Sequence, residues 1–237
     1  MHTPLGIVRA RRPAPSGLTG FLHQLPAFAG HPPDAVVDLG DLAETRSASR
    51  GEVLWQPGDK GDTVVIVRSG VVLLRRDVGE HGVTLDVCGR GAFLGLAPGP
   101  RDHEAVVHDG GTLLVVPRSS FDAWLVDHAE LAPAMVGLAA AQAQRMASRL
   151  TLVSMHGARA RLALLLLDLA DRFGVRDSRG VIVDVRLTHR EMAALIGATR
   201  ETVSVAIVEL RNAGVVETEA RRVVVVDEAA LAEVAGV

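Results

Sequence analysis

Cysteine is nearly absent from this 237-residue chain, which contains only Cys88. One cysteine excludes a disulfide within the chain and an iron–sulfur cluster held by several cysteines. Long apolar runs are also missing, so no segment is predicted to span a membrane. The N-terminus contains arginines but lacks the apolar stretch that follows them in a secretory signal. These absences predict a cytoplasmic protein that has no membrane partner.

Lysine is as scarce as cysteine, because Lys60 is the only one among the 25 lysine and arginine residues. The net charge of −3 at pH 7 gives no overall basic field of the kind that attracts nucleic acid. Nucleic-acid binding is not excluded, since a few local arginines can carry the phosphate contacts. With 237 residues, the chain is long enough to bury one or two cores.

Residues 1–20 are rich in arginine, proline and glycine, and they include Arg9, Arg11 and Arg12. This composition predicts a disordered arm, because it offers little apolar surface to bury. A basic arm that touches DNA or a partner subunit is the alternative. From residue 21 to residue 42, apolar residues recur at helical spacing but are interrupted by prolines, which predicts short helices.

From about residue 44 to residue 117, short β-branched runs are separated by turn residues. The runs are Val53–Trp55, Thr63–Val67, Val71–Leu74 and Thr112–Val116. Many short strands at close spacing are typical of a small β-barrel or sandwich. The predicted fold class is α+β, with residues 21–125 forming an N-terminal β domain.

Residues 126–155 are predicted to form one long helix, with Pro133 near its start. Apolar residues along this helix step by three or four positions and form a seam. Because the helix lies between two predicted domains, the seam is interpreted as a dimer contact, and core packing within the chain is the alternative. The seam residues are Leu131, Met135, Leu138, Gln142, Met146, Leu150 and Val153.

Residues 187–214 contain the pattern of two short helices joined by a tight turn. Thr188 and Glu191 have the spacing of a capping box, and Gly197 ends the first helix. Thr199 can cap the second helix, on which apolar residues again recur at helical spacing. The pattern predicts a helix-turn-helix, whose second helix reads bases from near its N-terminus. An ordinary helical hairpin with solvated polar residues is the alternative.

A predicted β-hairpin around residues 219–221 follows the second helix, so residues 156–237 are predicted to form a winged helix. Arginine can bind guanine through two hydrogen bonds, glutamate can accept from cytosine, and serine or threonine can contact a base or a phosphate. Arginines of the wing can meet the phosphate backbone. The predicted DNA-binding residues are Thr188, Arg190, Thr199, Arg200, Glu201, Thr202, Ser204, Arg221 and Arg222.

Two motifs carry a resemblance to a known family. Residues 50–59, RGEVLWQPGD, and residues 65–72, VIVRSGVV, are similar to the opening of a cyclic-nucleotide-binding β-roll of the jelly-roll type. Residues 187–204 resemble the DNA-reading segment of the same family. The chain is thereby identified, over residues 21–226, as a member of the cyclic-AMP receptor protein/fumarate-nitrate regulator (CRP/FNR) family of bacterial transcription regulators. This resemblance implies a homodimer that binds double-stranded DNA through winged helices and recruits or blocks RNA polymerase.

The segments that hold cyclic AMP in this family differ in this chain. Nucleotide-binding members have Gly-Glu-Leu-Ala and then Arg-Ser-Ala, whereas residues 95–97 read GLA and residues 103–105 read HEA. A leucine cannot bond a ribose hydroxyl, and a glutamate near the phosphate would repel it. Regulation by cyclic AMP is therefore not predicted, and no cofactor is expected. The tentative effector pocket comprises Gly95, Leu96, Arg101, His103 and Glu104.

The recognition helix also departs from the family, because Val205 stands where a further basic residue usually follows the serine. This difference predicts altered or relaxed specificity at one base pair. Together with the slightly negative C-terminal region, Val205 also supports an alternative, a scaffold or ligand-buffering protein that has lost DNA binding.

Other ligands and reactions stay open at this point. Haem could be held in the β domain by His81, His103, His108, Cys88 or the chain terminus. A metal-dependent oxygenase would need two histidines and a carboxylate, for which His103, His108 and Glu104 are nearest, although no close His-x-His pair is present. The chain is predicted not to be an enzyme, and no catalytic or metal-binding residue is assigned. Regulation without any ligand is the remaining alternative.

Overall fold

The N-terminal part of the computed structural model, which describes residues 16–78, 81–155 and 157–237, begins with short helices as predicted. Helix α1 spans Ser16–His23, a 3-10 turn spans Pro26–Phe28 and helix α2 spans Pro33–Leu42. The predicted arm of residues 1–20 is wrong at its end, because α1 starts at Ser16. Leu18 is buried in the core, which is why this segment folds. Residues 1–15 of that arm lie outside the described residues.

Eight strands form the predicted β domain, a roll of two antiparallel four-stranded sheets. One sheet has the order β1-β8-β3-β6, and the other has the order β2-β7-β4-β5. The strands are β1 Glu44–Ala48, β2 Val53–Trp55, β3 Thr63–Val67, β4 Val71–Val78, β5 His81–Cys88, β6 Phe93–Leu94, β7 Glu104–Asp109 and β8 Gly111–Pro117.

Strand alternation divides the apolar side chains of the roll among three cores. On β3, Val65 faces the space between the sheets, whereas Val64 and Ile66 pack against the helices on the outer side. On β4, Val72 lies between the sheets, whereas Leu73 packs against the C-terminal domain. Each sheet therefore has buried apolar side chains on both of its faces.

The long helix observed in the structure is shorter than the predicted range of residues 126–155, and a break in the helix precedes it. Helix α3 spans Arg118–Asp127, a 3-10 turn spans Ala129–Leu131 and helix α4 spans Ala132–Met155. The N-terminal boundary of the helix was thus predicted six positions too early. Pro133 lies in the first turn of α4, where its missing N–H removes no helical hydrogen bond.

The C-terminal domain is a winged helix, as predicted. It contains helix α5 Ala158–Phe173, strands β9 Gly174–Asp177 and β10 Gly180–Val183, and helices α6 His189–Ile196 and α7 Arg200–Asn212. Strands β11 Val216–Glu219 and β12 Arg222–Val225 form the wing, and helix α8 Glu228–Ala235 follows. The strands pair in the order β11-β12-β10-β9.

The sequence of residues 181–187, which leads into Thr188, predicts one strand, and this prediction is only partly correct. Strand β10 ends at Val183, and its neighbour β9 has no counterpart in the prediction. All four residues of β9 are exposed, so they show no alternation of apolar and polar residues from which a strand could be predicted. Within the described residues, no helix is long and apolar enough to cross a membrane.

Candidate nucleic-acid interface and effector pocket

The helix-turn-helix is fixed at both helix starts by threonine caps. The backbone N–H of Glu191 donates to Thr188 Oγ1 at 3.2 Å, and the Thr188 N–H donates to Glu191 Oε2 at 2.8 Å. This completes the predicted capping box of α6. Gly197 ends α6 in the left-handed region, with φ of 61°. Thr199 then caps α7 by accepting from the Thr202 N–H at 3.1 Å.

The second helix presents its N-terminal turn to solvent. Val203, Ile207 and Leu210 are buried beneath it and hold α7 against the domain core. Arg200 and Glu201 are exposed, and in the described part of the chain their side chains make no hydrogen bond or ion pair. Both predicted base-reading groups are therefore free to contact another molecule.

The hydroxyl groups of α7 are already engaged within the chain. Ser204 Oγ donates to the Arg200 carbonyl at 2.9 Å and lies 2.8 Å from His189 Nδ1. Since the serine proton goes to the carbonyl, His189 Nδ1–H is the donor in the second contact. Thr202 Oγ1 lies 2.9 Å from Thr199 Oγ1. These contacts orient the first turn of α7, and His189 is a residue that the sequence patterns did not indicate.

The wing places its two predicted arginines in different roles. Arg221 is exposed at the tip, where Ala220 and Arg221 have φ of 47° and 68°. Arg222 Nη2 instead forms an ion pair with Asp184 Oδ1 at 2.8 Å. Arg222 is therefore committed to a contact that ties the wing to the segment before α6, and Arg221 is the wing arginine available to phosphate.

A basic hollow extends this surface onto the β-roll. Arg50, Arg186 and Arg221 line it together with Thr188, and its volume is about 310 Å³. Arg50 belongs to the turn between β1 and β2, and its Nη1 lies 3.6 Å from Asp109 Oδ1. No periodic pattern in the chain indicates this cluster, because its arginines come from three separate segments that only the tertiary fold brings together.

The start of the predicted dimer seam is covered within the same chain, as in the alternative of core packing. Leu131 and Met135 are 0% and 5% exposed and lie in the core between the roll and the helices. Leu138 and Met146 also pack against roll cores, and Gln142 Nε2 lies 4.0 Å from Cys88 Sγ. The side chains of Leu150 and Val153 lie outside the described residues.

The opposite face of α4 is the exposed one. Val136 is 67% exposed, and Ala140 and Ala143 are also exposed. These residues are separated by four and then three positions, which is the spacing of a seam between two helices. A sequence pattern shows that a helix has an apolar face, but it does not show which partner covers that face.

The predicted effector pocket is occupied by two arginines of the chain itself. Arg118 Nη1 donates to the Leu96 carbonyl at 3.0 Å, and Arg118 Nη2 donates to the carbonyls of Gly95 and Ala97. Arg101 is 6% exposed and lies against Gly95. The backbone groups of this loop are thus bonded to a side chain from α3, a contact that the sequence did not predict.

The remaining predicted pocket residues lie beside this loop. His103 Nδ1 lies 2.6 Å from Asp102 Oδ1, and its ring meets Trp55 edge to face at 6.1 Å. Glu104 is half-buried at the start of β7. Leu96 packs against the core beneath the helices rather than offering a hydrogen bond. The pocket therefore lacks the acceptor that a ribose hydroxyl would need at position 96.

A buried histidine joins the roll to the DNA-binding domain. His108 is 4% exposed; its Nδ1 lies 3.1 Å from Glu191 Oε1, and its Nε2 lies 3.1 Å from the Arg186 carbonyl. Both partners are acceptors, so both ring nitrogens must carry protons. The hydrogen bond to Glu191 raises the pKa of His108, although burial opposes this. Arg75 Nη2 lies 3.5 Å from the same carboxylate oxygen.

The carboxylate of Glu191 is correspondingly held in its charged form. Burial alone would raise its pKa, but hydrogen bonds from His108 and Thr188 lower the pKa of Glu191 to about 2. Another carboxylate, the fully buried Asp86, lies at 3.1 Å from Arg145 of α4 and 3.3 Å from Arg172 of α5. The half-buried Glu191 and the buried Asp86 therefore connect the roll, the long helix and the winged-helix domain.

These contacts do not bring together the residues considered above as metal or haem ligands. His103 and His108 are bonded to Asp102 and Glu191 respectively, so they do not converge with Glu104 as a metal site would require. The described residues contain no group of three or more His, Cys, Asp or Glu side chains that could hold a metal ion. Cys88 is buried, and the side chain of His81 lies outside the described residues.

Sequence comparisons match the two halves of the chain separately and as a whole. Residues 45–128 match the model of the cyclic nucleotide-binding domain, and residues 160–234 match that of the Crp-like helix-turn-helix domain. The chain is 32% identical to a cyclic AMP receptor protein of Thermus thermophilus, over 89% of this chain and 96% of that protein. It is 28% identical to a CRP-like cAMP-activated global transcriptional regulator of Mycobacterium tuberculosis, over 86% and 94%.

Solved structures show the same fold. FixK2 from Bradyrhizobium japonicum superimposes with a TM-score of 0.74 at 20% identity, covering 81% of this chain and 96% of that one. A CRP-family transcriptional regulator from Thermus thermophilus superimposes with a TM-score of 0.67 at 27% identity, covering 81% and 97%. The arrangement of roll, long helix and winged helix is thus shared over most of the chain.

Proposed function

This chain belongs to the CRP/FNR family of transcription regulators, and from that membership we propose that it is a homodimer that reads a specific DNA sequence without cyclic AMP. The observation that carries the proposal is the first turn of α7. There Arg200 and Glu201 stand exposed on a capped helix start, and their side chains make no hydrogen bond or ion pair within the described residues. No enzymatic activity is proposed, since the relatives are transcription regulators.

Base reading by α7 is supported by the direction and charge of its first turn. A recognition helix contacts base edges with its N-terminal residues. Arg200 is suited to guanine and Glu201 to the amino group of cytosine. Val205, one turn further along, is 59% exposed and carries no hydrogen-bonding group. We therefore expect fewer specified base pairs than a basic residue at this position would give.

Phosphate binding is supported by the basic hollow of Arg50, Arg186 and Arg221. The hollow adjoins Thr188, whose position at the N-terminus of α6 also favours an anion. A DNA backbone that leaves the recognition helix toward the roll would meet these guanidinium groups. Their contribution would make binding weaken steeply as the salt concentration rises.

Dimerisation is supported by the exposed face of α4 rather than by the buried seam. Val136, Ala140 and Ala143 form a stripe of small apolar side chains on which a second copy of the helix can pack closely. Such a pair would set two copies of α7 about 34 Å apart, one turn of DNA. A dimer bound to DNA would then recruit or block RNA polymerase.

Independence from cyclic AMP is supported by the contents of the roll pocket. Leu96 offers no acceptor to a ribose, and Arg118 already bonds the loop carbonyls. The histidine at position 103 is paired with Asp102 rather than free for a phosphate. A cyclic nucleotide would have to displace these internal contacts without receiving equivalent ones.

The proposal is tested by selecting bound duplexes from random DNA with the unmodified protein and with Arg200→Ala. We expect Arg200→Ala to lose preference at one base pair of each half-site, by about 1–3 kcal/mol. Arg211→Ala, which removes an exposed arginine from the last turn of the same helix, is the matched control and should keep the preference. Unchanged base preference in Arg200→Ala would contradict base reading, and selection that succeeds only with cyclic AMP would contradict independence from it.

A further inference from the structure

We propose that the β-roll binds a small organic monocarboxylate in a hollow whose floor is formed by Trp55 and Arg101. Three of the buried polar side-chain atoms that lack a hydrogen-bond partner among the described residues belong to one contact cluster: Trp55 Nε1, Arg101 Nε and His103 Nε2. The Arg101 Cζ lies 4.4 Å above the Trp55 ring, and the His103 ring meets the same indole. Buried polar groups are normally paired, so unpaired groups in one cluster indicate a missing partner.

Arg101 carries a buried positive charge, so it would gain more from an anionic partner than Trp55 or His103 would. It is 6% exposed and forms no ion pair within the described residues; its Nη2 donates to the Thr63 carbonyl. Burial, followed by the charge of Arg118, lowers the pKa of Arg101, and Asp62 offsets only part of this. A guanidinium buried without a carboxylate is costly, and an anionic ligand would remove that cost.

The backbone holds Arg101 in this position. Its N–H donates to the Asp59 carbonyl at 2.8 Å, and its carbonyl accepts from the Gly58 N–H at 2.8 Å. Gly95 has φ of +72°, and a Cβ there would lie 2.4 Å from Arg101 Nη1. The positive φ favours glycine at position 95, and the guanidinium packs directly against this glycine.

The size and rim of the hollow define the chemical class of the ligand. Its volume is about 250 Å³, and Asp59, Lys60 and Asp62 surround the opening. One basic and two acidic rim residues above a single buried guanidinium favour a singly charged anion over a phosphate dianion. A small carboxylate can accept from the guanidinium of Arg101 on the floor and lie against the Trp55 ring, and polar groups of the ligand can meet the rim. A cyclic nucleotide is a poorer match, because its ribose would find no acceptor at Leu96.

Two-dimensional ¹H–¹⁵N NMR of the full chain tests this site through its two indole N–H signals. Trp55 Nε1–H reports on the hollow, whereas Trp124 Nε1–H donates to the Ala35 carbonyl at 2.8 Å and serves as an internal reference. Acetate, glycolate, inorganic phosphate and cyclic AMP are titrated at constant ionic strength set with sodium chloride. We expect acetate or glycolate to shift the Trp55 signal saturably and to leave the Trp124 signal in place.

Arg101→Met should weaken carboxylate binding by about tenfold or more, the effect of losing a charge-assisted hydrogen bond. Arg90→Met, which removes an arginine stacked on Phe21, is the matched control and should bind as before. Asp62→Asn removes a negative rim charge and should tighten binding severalfold, whereas Asp34→Asn on α2 should not. Comparing Asp62→Asn with Asp34→Asn tests the site even if the Arg101→Met variant does not fold.

Three results would overturn the proposal: no saturable shift with either carboxylate, a shift that sodium chloride reproduces, or full retention of binding in a folded Arg101→Met variant. A response to phosphate or cyclic AMP alone would overturn the carboxylate assignment. Because the readout is a shift at Trp55 and not DNA binding, it stands or fails independently of the proposed regulator function.

Discussion

Val205 is the residue at which the recognition helix departs most clearly from the family pattern, and its exposure makes it a direct test of what α7 contacts. We expect Val205→Arg to strengthen DNA binding and to steepen the dependence of log K on log salt by about one, the effect of one added phosphate contact. Val126→Arg adds the same charge on α3, where Val126 is 78% exposed. Filter binding across a salt series measures both slopes.

An equal steepening in the Val126 variant would show that the added charge acts through the net charge of the protein. No change in the Val205 variant would show that this turn of α7 does not face the duplex. The position of Val205 could be predicted from the sequence, because positions on a recognition helix can be counted from its N-cap, here Thr199.

The wing turn has a backbone conformation that its two residue types rarely adopt. Ala220 and Arg221 both have positive φ, as a two-residue type I′ hairpin turn requires, and glycine or asparagine usually fills such positions. We expect Ala220→Gly to raise the free energy of unfolding by up to about 1 kcal/mol, because glycine adopts this region without strain. Urea denaturation followed by circular dichroism measures the change.

Ala213→Gly is the matched control, because Ala213 caps α7 with φ of −79° and gains nothing from glycine. It should leave stability unchanged or lower it. If Ala220→Gly also lowers stability, the turn in solution does not have the conformation described above.

Local signals explain which elements could be predicted. The caps at Thr188 and Thr199 lie within three residues of their partners, so their spacing is readable in the chain. The partners of the predicted seam could not be read from the sequence, since Leu131 and Met135 are covered by distant strands and helices. The contact between His108 and the Arg186 carbonyl spans 78 positions, and no local pattern encodes such a pairing.

At the scale of the whole molecule, the ion pair of His108 with Glu191 makes the contact between the two domains depend on pH. The folded pKa of His108 is raised above 6.5, so its stabilisation is complete below pH 6.5 and is lost as pH rises through the folded pKa. The folded pKa of Glu191 is lowered from 4.5 to about 2, so its stabilisation is complete above pH 4.5 and is lost as pH falls toward 2. The contact is strongest between these limits.

Hydrogen exchange of α6 amides across pH 5 to 9, corrected for intrinsic rates, measures this dependence. We expect protection to fall at the alkaline end in the unmodified protein and to be weaker and flatter in His108→Gln, which cannot become charged. Arg75, which lies 3.5 Å from the Glu191 carboxylate, and Asp109 are further charged groups beside this contact. His128→Gln, whose histidine faces Asp38 of α2, is the control and should keep the profile. An identical profile in His108→Gln would remove His108 as the cause.

The proposed dimer leads to a further prediction for the whole molecule. Ala143→Arg places a long charged side chain in the exposed stripe of α4, and we expect it to convert the dimer to a monomer and to weaken DNA binding. Val126→Arg again adds charge outside this helix. Sedimentation velocity at micromolar concentration distinguishes the two states. A dimeric Ala143→Arg variant would place the interface on another surface.

The outer face of the sheet β2-β7-β4-β5 has a consequence for how the chain can be divided. Val71, Leu73, Val87 and Val106 on that face belong to the same core as the C-terminal helices. A fragment cut after α4 would leave these aliphatic side chains in water and would self-associate through them. The roll and the C-terminal domain thus shield each other's apolar surface from solvent, and neither can be transferred unchanged to another protein.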